Sequence, residues 1–75
     1  MLGIVKWFND KKGFGFINEF NTATEQIAND LDLFVHFNEI EGNGYKSLND
    51  GELVNFELVH TNKGPQCRKV TRVAK

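Results

Sequence analysis

The chain has 75 residues, so we expect one domain over residues 1–75. This length is near the lower limit at which a hydrophobic core stabilises a fold without disulfides or a structural metal. The single cysteine, Cys67, excludes an internal disulfide, and the absence of a Cys and His cluster at zinc-finger spacing predicts no metal and no cofactor. The net charge is −1, but the charges are unevenly distributed along the chain. Residues 1–18 carry three lysines and one aspartate, and residues 59–75 carry five basic residues and no acidic one. Nine acidic residues lie between these two basic ends.

The first predicted strand covers residues 3–9. Its apolar residues do not alternate cleanly, which predicts a bulge or bend near Lys6. We expect Val5 inside, Trp7 on the opposite face and Phe8 at the rim of a barrel. This N-terminus has none of the features of a signal peptide, and the sequence has no apolar run that could cross a bilayer. We therefore expect a cytoplasmic protein without a membrane partner.

Two apolar segments, residues 12–17 and 33–37, hold four of the seven phenylalanines. With the two-residue period of a strand, each segment has one aromatic and one aliphatic face. The aromatic face carries Phe14, Phe16, Phe34 and His36, and the aliphatic face carries Ile17, Leu33 and Val35. Aliphatic side chains are the natural filling of one small core. The aromatic face is therefore expected in solvent.

A solvent-exposed aromatic patch rimmed by polar groups is typical of a binding site. Its flat rings suit unstacked nucleobases, each of which gains about 1–3 kcal/mol by stacking on an aromatic side chain. Gly13 and Gly15 would let a ligand or a neighbouring strand approach the backbone closely. The alternative is a small β-barrel that binds a protein or peptide through the same patch, although the flanking basic residues favour nucleic acid.

An enzymatic function is not expected. Cys67 with His36 or His60 is the one thiol and imidazole combination, and nothing in the sequence supplies a third group to orient it.

Residues 19–31 lack strand alternation and are interpreted as an insertion. Thr22 followed by Glu25 matches a capping box, so a short helical turn is compatible with this segment. A second tight helical turn is predicted over residues 38–41, capped by Asn38.

The C-terminal part of the chain is predicted to hold a fourth strand over residues 53–59 and a fifth over residues 66–73, joined by a turn at 62–65. Five short strands without a strong helix predict an all-β, closed or partly closed barrel.

Five pieces of the sequence resemble, in this order, the bacterial cold-shock proteins: residues 3–9, 12–17 (Lys-Gly-Phe-Gly-Phe-Ile), 33–37 (Leu-Phe-Val-His-Phe), 44–48 and 63–66. The resemblance covers nearly the whole chain. It implies a cold-shock domain, a five-stranded antiparallel OB-fold barrel. In that family the second and third pieces are RNA-binding motifs whose aromatic residues stack on single-stranded DNA or RNA.

The resemblance also implies site residues. The stacking platform it implies is Trp7, Phe14, Phe16, Phe34, His36, Phe37 and Tyr45, with Phe8 as a flanking member. Lys6, Lys12 and Lys63 fall where the family contacts bases or phosphates, and Asp32 and Gln66 are candidate base-edge partners. The implied function is that of an RNA chaperone or a regulator of transcription or translation. We expect a free monomer that prefers pyrimidine-rich single strands.

Three departures from the family pattern are specific to this chain, and one of them, Asn38 where a small hydroxyl or similar residue is common, puts little in doubt. The 19–31 segment is longer than usual, and its Glu19, Glu25 and Asp30 are expected to repel phosphate. Residues 67–69, Cys-Arg-Lys, replace residues that are typically small or uncharged, so the start of the last strand either adds basic contacts or is simply solvated.

Overall fold

Five strands of the chain close into a ring, and a sixth, very short strand extends one of them. The computed structural model describes residues 1–42 and 47–73. The strands are β1 (Leu2–Asn9), β2 (Phe14–Asn21), β3 (Gln26–Ile27), β4 (Leu33–His36), β5 (Leu53–Thr61) and β6 (Gly64–Arg72), with a one-turn 3-10 helix at Phe37–Glu39. Within the described ranges, no helix has the length and apolar character needed to cross a membrane.

The ring runs β1-β5-β6-β4-β2 and closes where β2 pairs with β1. This arrangement confirms the predicted all-β, five-stranded OB-fold barrel. Four of the five pairings are antiparallel, and the fifth joins β4 and β6 in parallel through Phe34 and Gln66. The four other pairings agree with the predicted antiparallel barrel, and a closed ring of five strands requires at least one parallel pair. The parallel contact joins strands that are distant in the chain, so no local pattern could indicate its direction.

The predicted bulge lies at Lys6. Val5 is opposite Ile17 and Trp7 is opposite Phe16, so Lys6 is the extra residue of β1. Because side chains alternate along a strand, this extra residue lets Val5 face the interior while Trp7 faces outward. Gly15 allows the close approach of β1 here, since a Cβ at this position would meet the Trp7 carbonyl oxygen and lie 2.7 Å from the Phe8 Cα.

The aliphatic face of β2 and β4 forms part of the core, as predicted. The buried apolar residues in the described part of the chain are Val5, Ile17, Leu33, Val35, Ile40, Leu48, Val54, Phe56, Cys67 and Val70. Each fully buried large apolar side chain contributes about 1.5–3 kcal/mol relative to its exposed form. The core therefore stabilises the barrel through the inner face of β2 and β4, and the outer face of these strands can contact a ligand.

The short helical turn considered for residues 19–31 does not form. Instead, β2 continues to Asn21 and turns back into β3. The Asn21 Oδ1 accepts a 2.9 Å hydrogen bond from the Ala23 amide, and Glu25 has a φ of 53°, outside the helical region. Phe20 lies opposite Ile27 in the resulting hairpin. Strand pairing and the turn formed by the Asn21 side chain thus prevail over the local capping pattern.

The second predicted turn is present, one residue earlier and with a different cap. The 3-10 helix covers Phe37–Glu39, and the Nδ1 of His36, rather than the side chain of Asn38, accepts a 3.3 Å hydrogen bond from the Asn38 amide. Ile40 follows as a buried residue that bridges to Val70. The cap holds the His36 ring at the end of β4, where it faces the same side as the other aromatic residues.

Candidate nucleic-acid interface

Neighbouring strands place four aromatic side chains side by side. In the antiparallel pairing of β2 with β4, Phe14 is opposite His36 and Phe16 is opposite Phe34. Directly opposed residues lie on the same face of a sheet, with Cβ atoms about 4.5–5.5 Å apart. Because Ile17 and Val35 are fully buried, this shared face is the outer one. With Trp7 from β1, these four residues form what we call the aromatic platform.

The rings of the aromatic platform support one another. The Phe14 and Phe34 centroids are 5.7 Å apart with the rings inclined by only 28°. Trp7 meets Phe14 and Phe16 edge to face at 5.8 and 5.2 Å, and Phe16 meets Phe34 in the same way at 5.9 Å. These distances and angles are those preferred by aromatic pairs. The platform is therefore ordered without a ligand, which lowers the entropic cost of binding one.

The platform is open to solvent on its outer side. Trp7 is 36% exposed, and the other four members are partly exposed. Phe37 extends the row beyond β4, since its ring lies 4.7 Å from that of His36 and is 41% exposed. Gly13, with a φ of 77°, makes room for it, because a Cβ there would lie 2.8 Å from the Phe37 ring.

A shallow depression lies beside the platform. Its floor and rim are formed by Phe16, Asp32, Phe34, His36, Lys63, Pro65 and Gln66. Gln66 is brought there by its pairing with Phe34, and Lys63 by the tight turn between β5 and β6. In that turn the Lys63 amide donates a 3.1 Å hydrogen bond to the Thr61 Oγ1. Pro65 was not among the predicted site residues, although its position next to Gln66 could have indicated it.

Lys6 and Asp32, both predicted site residues, contact each other. The Lys6 Nζ lies 2.9 Å from the Asp32 Oδ2, and the Asn18 Nδ2 donates a 2.9 Å hydrogen bond to the Asp32 Oδ1. The Asn18 bond, followed by the Lys6 ammonium, lowers the pKa of Asp32 below its ordinary value. Asn18 is buried and also donates to the Leu31 carbonyl, at 3.0 Å. Asn18 was not among the predicted site residues, since a lone asparagine in a strand gives no signal of such a role.

Two further predicted site residues, Lys12 and Phe8, are not among those that line the depression. Lys12 is exposed in the turn after β1, where its amide donates a 2.9 Å hydrogen bond to the Asn9 Oδ1. Phe8 is opposite Gly15, on the inner side of the sheet, and packs against the core at the barrel rim. Its role as a flanking member of the platform stays a prediction. Tyr45 lies outside the described residues.

Residues 67–69, which depart from the family pattern, lie partly in the core and partly in solvent. Cys67 is buried, and burial raises the pKa of its thiol to about 12, so it is not a nucleophile at neutral pH. Arg68 and Lys69 are exposed, and the Lys69 Nζ lies 3.8 Å from Glu57.

Comparison with known proteins agrees with this arrangement. A model of the "'Cold-shock' DNA-binding domain" family matches residues 1–73. The chain belongs to the cold-shock domain family. That family binds single-stranded nucleic acids.

Several named members of the family are similar over nearly their whole length. The cold shock-like protein CspLB of Listeria monocytogenes is 48% identical over 71 residues, which cover 95% of this chain and 96% of the relative. The cold shock protein CspD of Bacillus subtilis is 49% identical with the same coverage. The cold shock protein CspB of Geobacillus stearothermophilus is 45% identical, again with 95% and 96% coverage.

Proposed function

We propose that this cold-shock domain binds single-stranded RNA and DNA by stacking unpaired bases on the aromatic platform. The observation that supports this most strongly is the outward pairing of Phe14 with His36 and of Phe16 with Phe34 above a closed aliphatic core. Each stacked base contributes about 1–3 kcal/mol. A base in a duplex is already stacked and paired, so it would have to be extruded first, and single strands are therefore favoured.

Preference for single strands accounts for the proposed role as an RNA chaperone. A ligand that binds only one of two states stabilises that state by RT ln(1 + [L]/Kd), about 2.7 kcal/mol when its concentration is 100 times Kd. The cold-shock domain at such a concentration would open weak RNA hairpins without consuming energy. The same opening gives a route to regulating transcription or translation. We place this action in the cytoplasm of a bacterium, with the free protein as a monomer.

The proposed ligand contacts divide by chemistry. The platform and Phe37 stack on bases, and Lys12 and Lys63 contact phosphates. Gln66, which both donates and accepts hydrogen bonds, contacts a base edge at the depression. Stacking tolerates every base because each has a π-face, so sequence preference should be modest. We expect pyrimidine-rich tracts to be preferred because of their flexibility.

A fluorescence titration tests the proposal. Trp7 is the only tryptophan and a member of the platform, so its emission should be quenched to saturation by a pyrimidine-rich single strand at low salt. The duplex of the same sequence is the control and should bind much more weakly. Equal affinity for duplex and single strand contradicts the stacking mechanism. No quenching by any sequence would instead favour the alternative, a barrel that binds a protein or peptide through the same patch.

A further inference from the structure

We propose that Phe20 provides an additional base-stacking position, which extends the aromatic platform along β2 and onto the hairpin formed by β2 and β3. This inference rests on the proposed function, because it adds a nucleobase contact to the same face. It assigns a role in binding to the 19–31 segment. From the sequence alone, the acidic residues of that segment are expected to repel phosphate.

Phe20 faces the same side of the sheet as Phe16. The extra residue of the bulge belongs to β1, and β2 pairs with β1 from Phe14 to Glu19 without an extra residue of its own. The two-residue period of a strand therefore directs Phe16, Asn18 and Phe20 to one side. Asn18, between the two phenylalanines, directs its side chain to Asp32 on the outer side. Phe20 lies four positions after Phe16, a distance of roughly 13 Å along a strand. The Asn18 and Asp32 contact fills the gap between them.

Two exposed apolar residues of the 19–31 segment accompany Phe20. Ile27 is directly opposite Phe20 and is 51% exposed. Leu31, 54% exposed, is held close to β2 by the hydrogen bond from Asn18 to its carbonyl. Directly opposed side chains lie within contact distance, so Ile27 can support the Phe20 ring as Trp7 supports Phe16. Phe20, Ile27 and Leu31 form what we call the hairpin patch.

The acidic residue next to Phe20 faces away from the patch. Glu19 lies opposite Gly3, and a Cβ on Gly3 would point inward to within 2.7 Å of the Phe56 ring. Glu19 therefore occupies the other side of β2, where its Oε1 is 3.4 Å from the Asn29 Nδ2. Glu25 is at the exposed turn of the hairpin. A base on Phe20 would thus avoid the carboxylate that the sequence places beside it.

Nucleic acid fits the hairpin patch better than a second copy of the chain. A specific protein interface uses about 20–30 residues on each side, many more than the three residues of this patch. The patch lies on the same outer face of β2 as the platform, beyond the Asn18 and Asp32 contact. OB folds contact about 4–16 nucleotides, so a strand lying across Phe34 and Phe16 has enough length to reach Phe20.

The test measures affinity as a function of oligonucleotide length. Wild type, Phe20→Ala, Phe20→Leu and Phe34→Ala are titrated with oligothymidines of about 4, 6, 8 and 10 nucleotides, and Trp7 fluorescence is followed. Phe20→Ala should match wild type on the shortest strand and lose about 5- to 150-fold on the longest. Phe20→Leu keeps the apolar bulk without the ring. It should show most of the same loss, and it decides the question if the alanine variant fails to fold.

The possible outcomes separate the inference from the proposed function. Wild-type affinity of both Phe20 variants at every length overturns the inference, while a loss in Phe34→Ala still supports stacking on the platform. An equal loss at every length, including the shortest, also overturns the inference, since the change then acts through the fold. A wild-type dimer in sedimentation that Phe20→Ala dissociates, with affinity unchanged, overturns it in favour of a contact between copies. Failure of wild type to bind any strand overturns both proposals.

Discussion

The inner and outer faces of β2 and β4 differ in burial, although their residues alternate along the same strands. Ile17 and Val35 are fully buried, whereas Phe16 and Phe34, their neighbours in sequence, are partly exposed and touch other rings. The difference follows from the two-residue period of a strand, which directs adjacent side chains to opposite sides. The inner face should therefore determine the free energy of unfolding, and the outer face the affinity for a single strand.

The largest expected effect is on the inner face. Ile17→Ala should lower the free energy of unfolding by about 2–5 kcal/mol, because it leaves a cavity in a small core. Ile4→Ala is a matched control, since Ile4 is only partly buried and lies opposite Asn18 on the outer side. Urea unfolding measures both variants. Equal losses at the two isoleucines would show that the core is not where the burial pattern places it.

The next effect is on the outer face. Phe14→Ala or His36→Ala should each weaken binding of a pyrimidine-rich strand by about 1–3 kcal/mol, because each removes a stacking surface. Their unfolding free energies should change comparatively little. Phe56→Ala is the control, since Phe56 is buried and its loss should reduce stability instead. Affinity is measured by titration and the free energy of unfolding by urea, on the same samples. Unchanged affinity in both platform variants would argue against stacking there.

Charge should make a smaller contribution. Lys6 is paired with Asp32. Among the lysines of the described residues, Lys63 lines the depression beside the platform, and Lys11 and Lys12 are exposed in the turn between β1 and β2. If these neutralise three phosphates, the slope of log K against log salt should be about −2, from roughly 0.7 per phosphate for a single strand. Asp32→Asn releases Lys6 and should steepen the slope by about 0.7. A slope close to zero in wild type would mean that phosphates are not contacted.

The smallest effect concerns the Asp32 carboxylate. The pKa of Asp32 is lowered in the folded state by the Asn18 hydrogen bond and by Lys6. Its stabilising contribution is therefore present above the unfolded-state pKa of about 3.9 and is lost as pH falls through the lower folded-state value. Thermal melting of wild type and Asp32→Asn should differ slightly at neutral pH and converge in acid. A difference that grows as the pH falls would contradict this assignment.

The division between the two faces could be predicted because it depends only on local periodicity. Alternation in two short segments was enough to assign Phe14 and Phe34 outward and Ile17 and Val35 inward, and broken alternation located the bulge at Lys6. Both features are determined by residues adjacent in the chain.

The features that were missed depend on which residues pair across the strands. The pattern of Thr22 and Glu25 indicated a helical turn, but the pairing of Phe20 with Ile27 formed a hairpin instead. The role of Asn18 requires Leu31 and Asp32 to come beside it, which the sequence does not indicate. The parallel contact of β4 with β6 likewise follows from closure of the ring.

The most direct test compares two adjacent residues of β4 in one experiment. Phe34→Ala and Val35→Ala are each assayed for unfolding free energy in urea and for affinity toward the same pyrimidine-rich strand. Phe34→Ala should lose about 1–3 kcal/mol of binding and remain close to wild type in stability. Val35→Ala should lose about 2 kcal/mol or more of stability and, where folded, bind like wild type. An unfolded Phe34→Ala protein beside a fully stable Val35→Ala protein would contradict the assignment of the two faces.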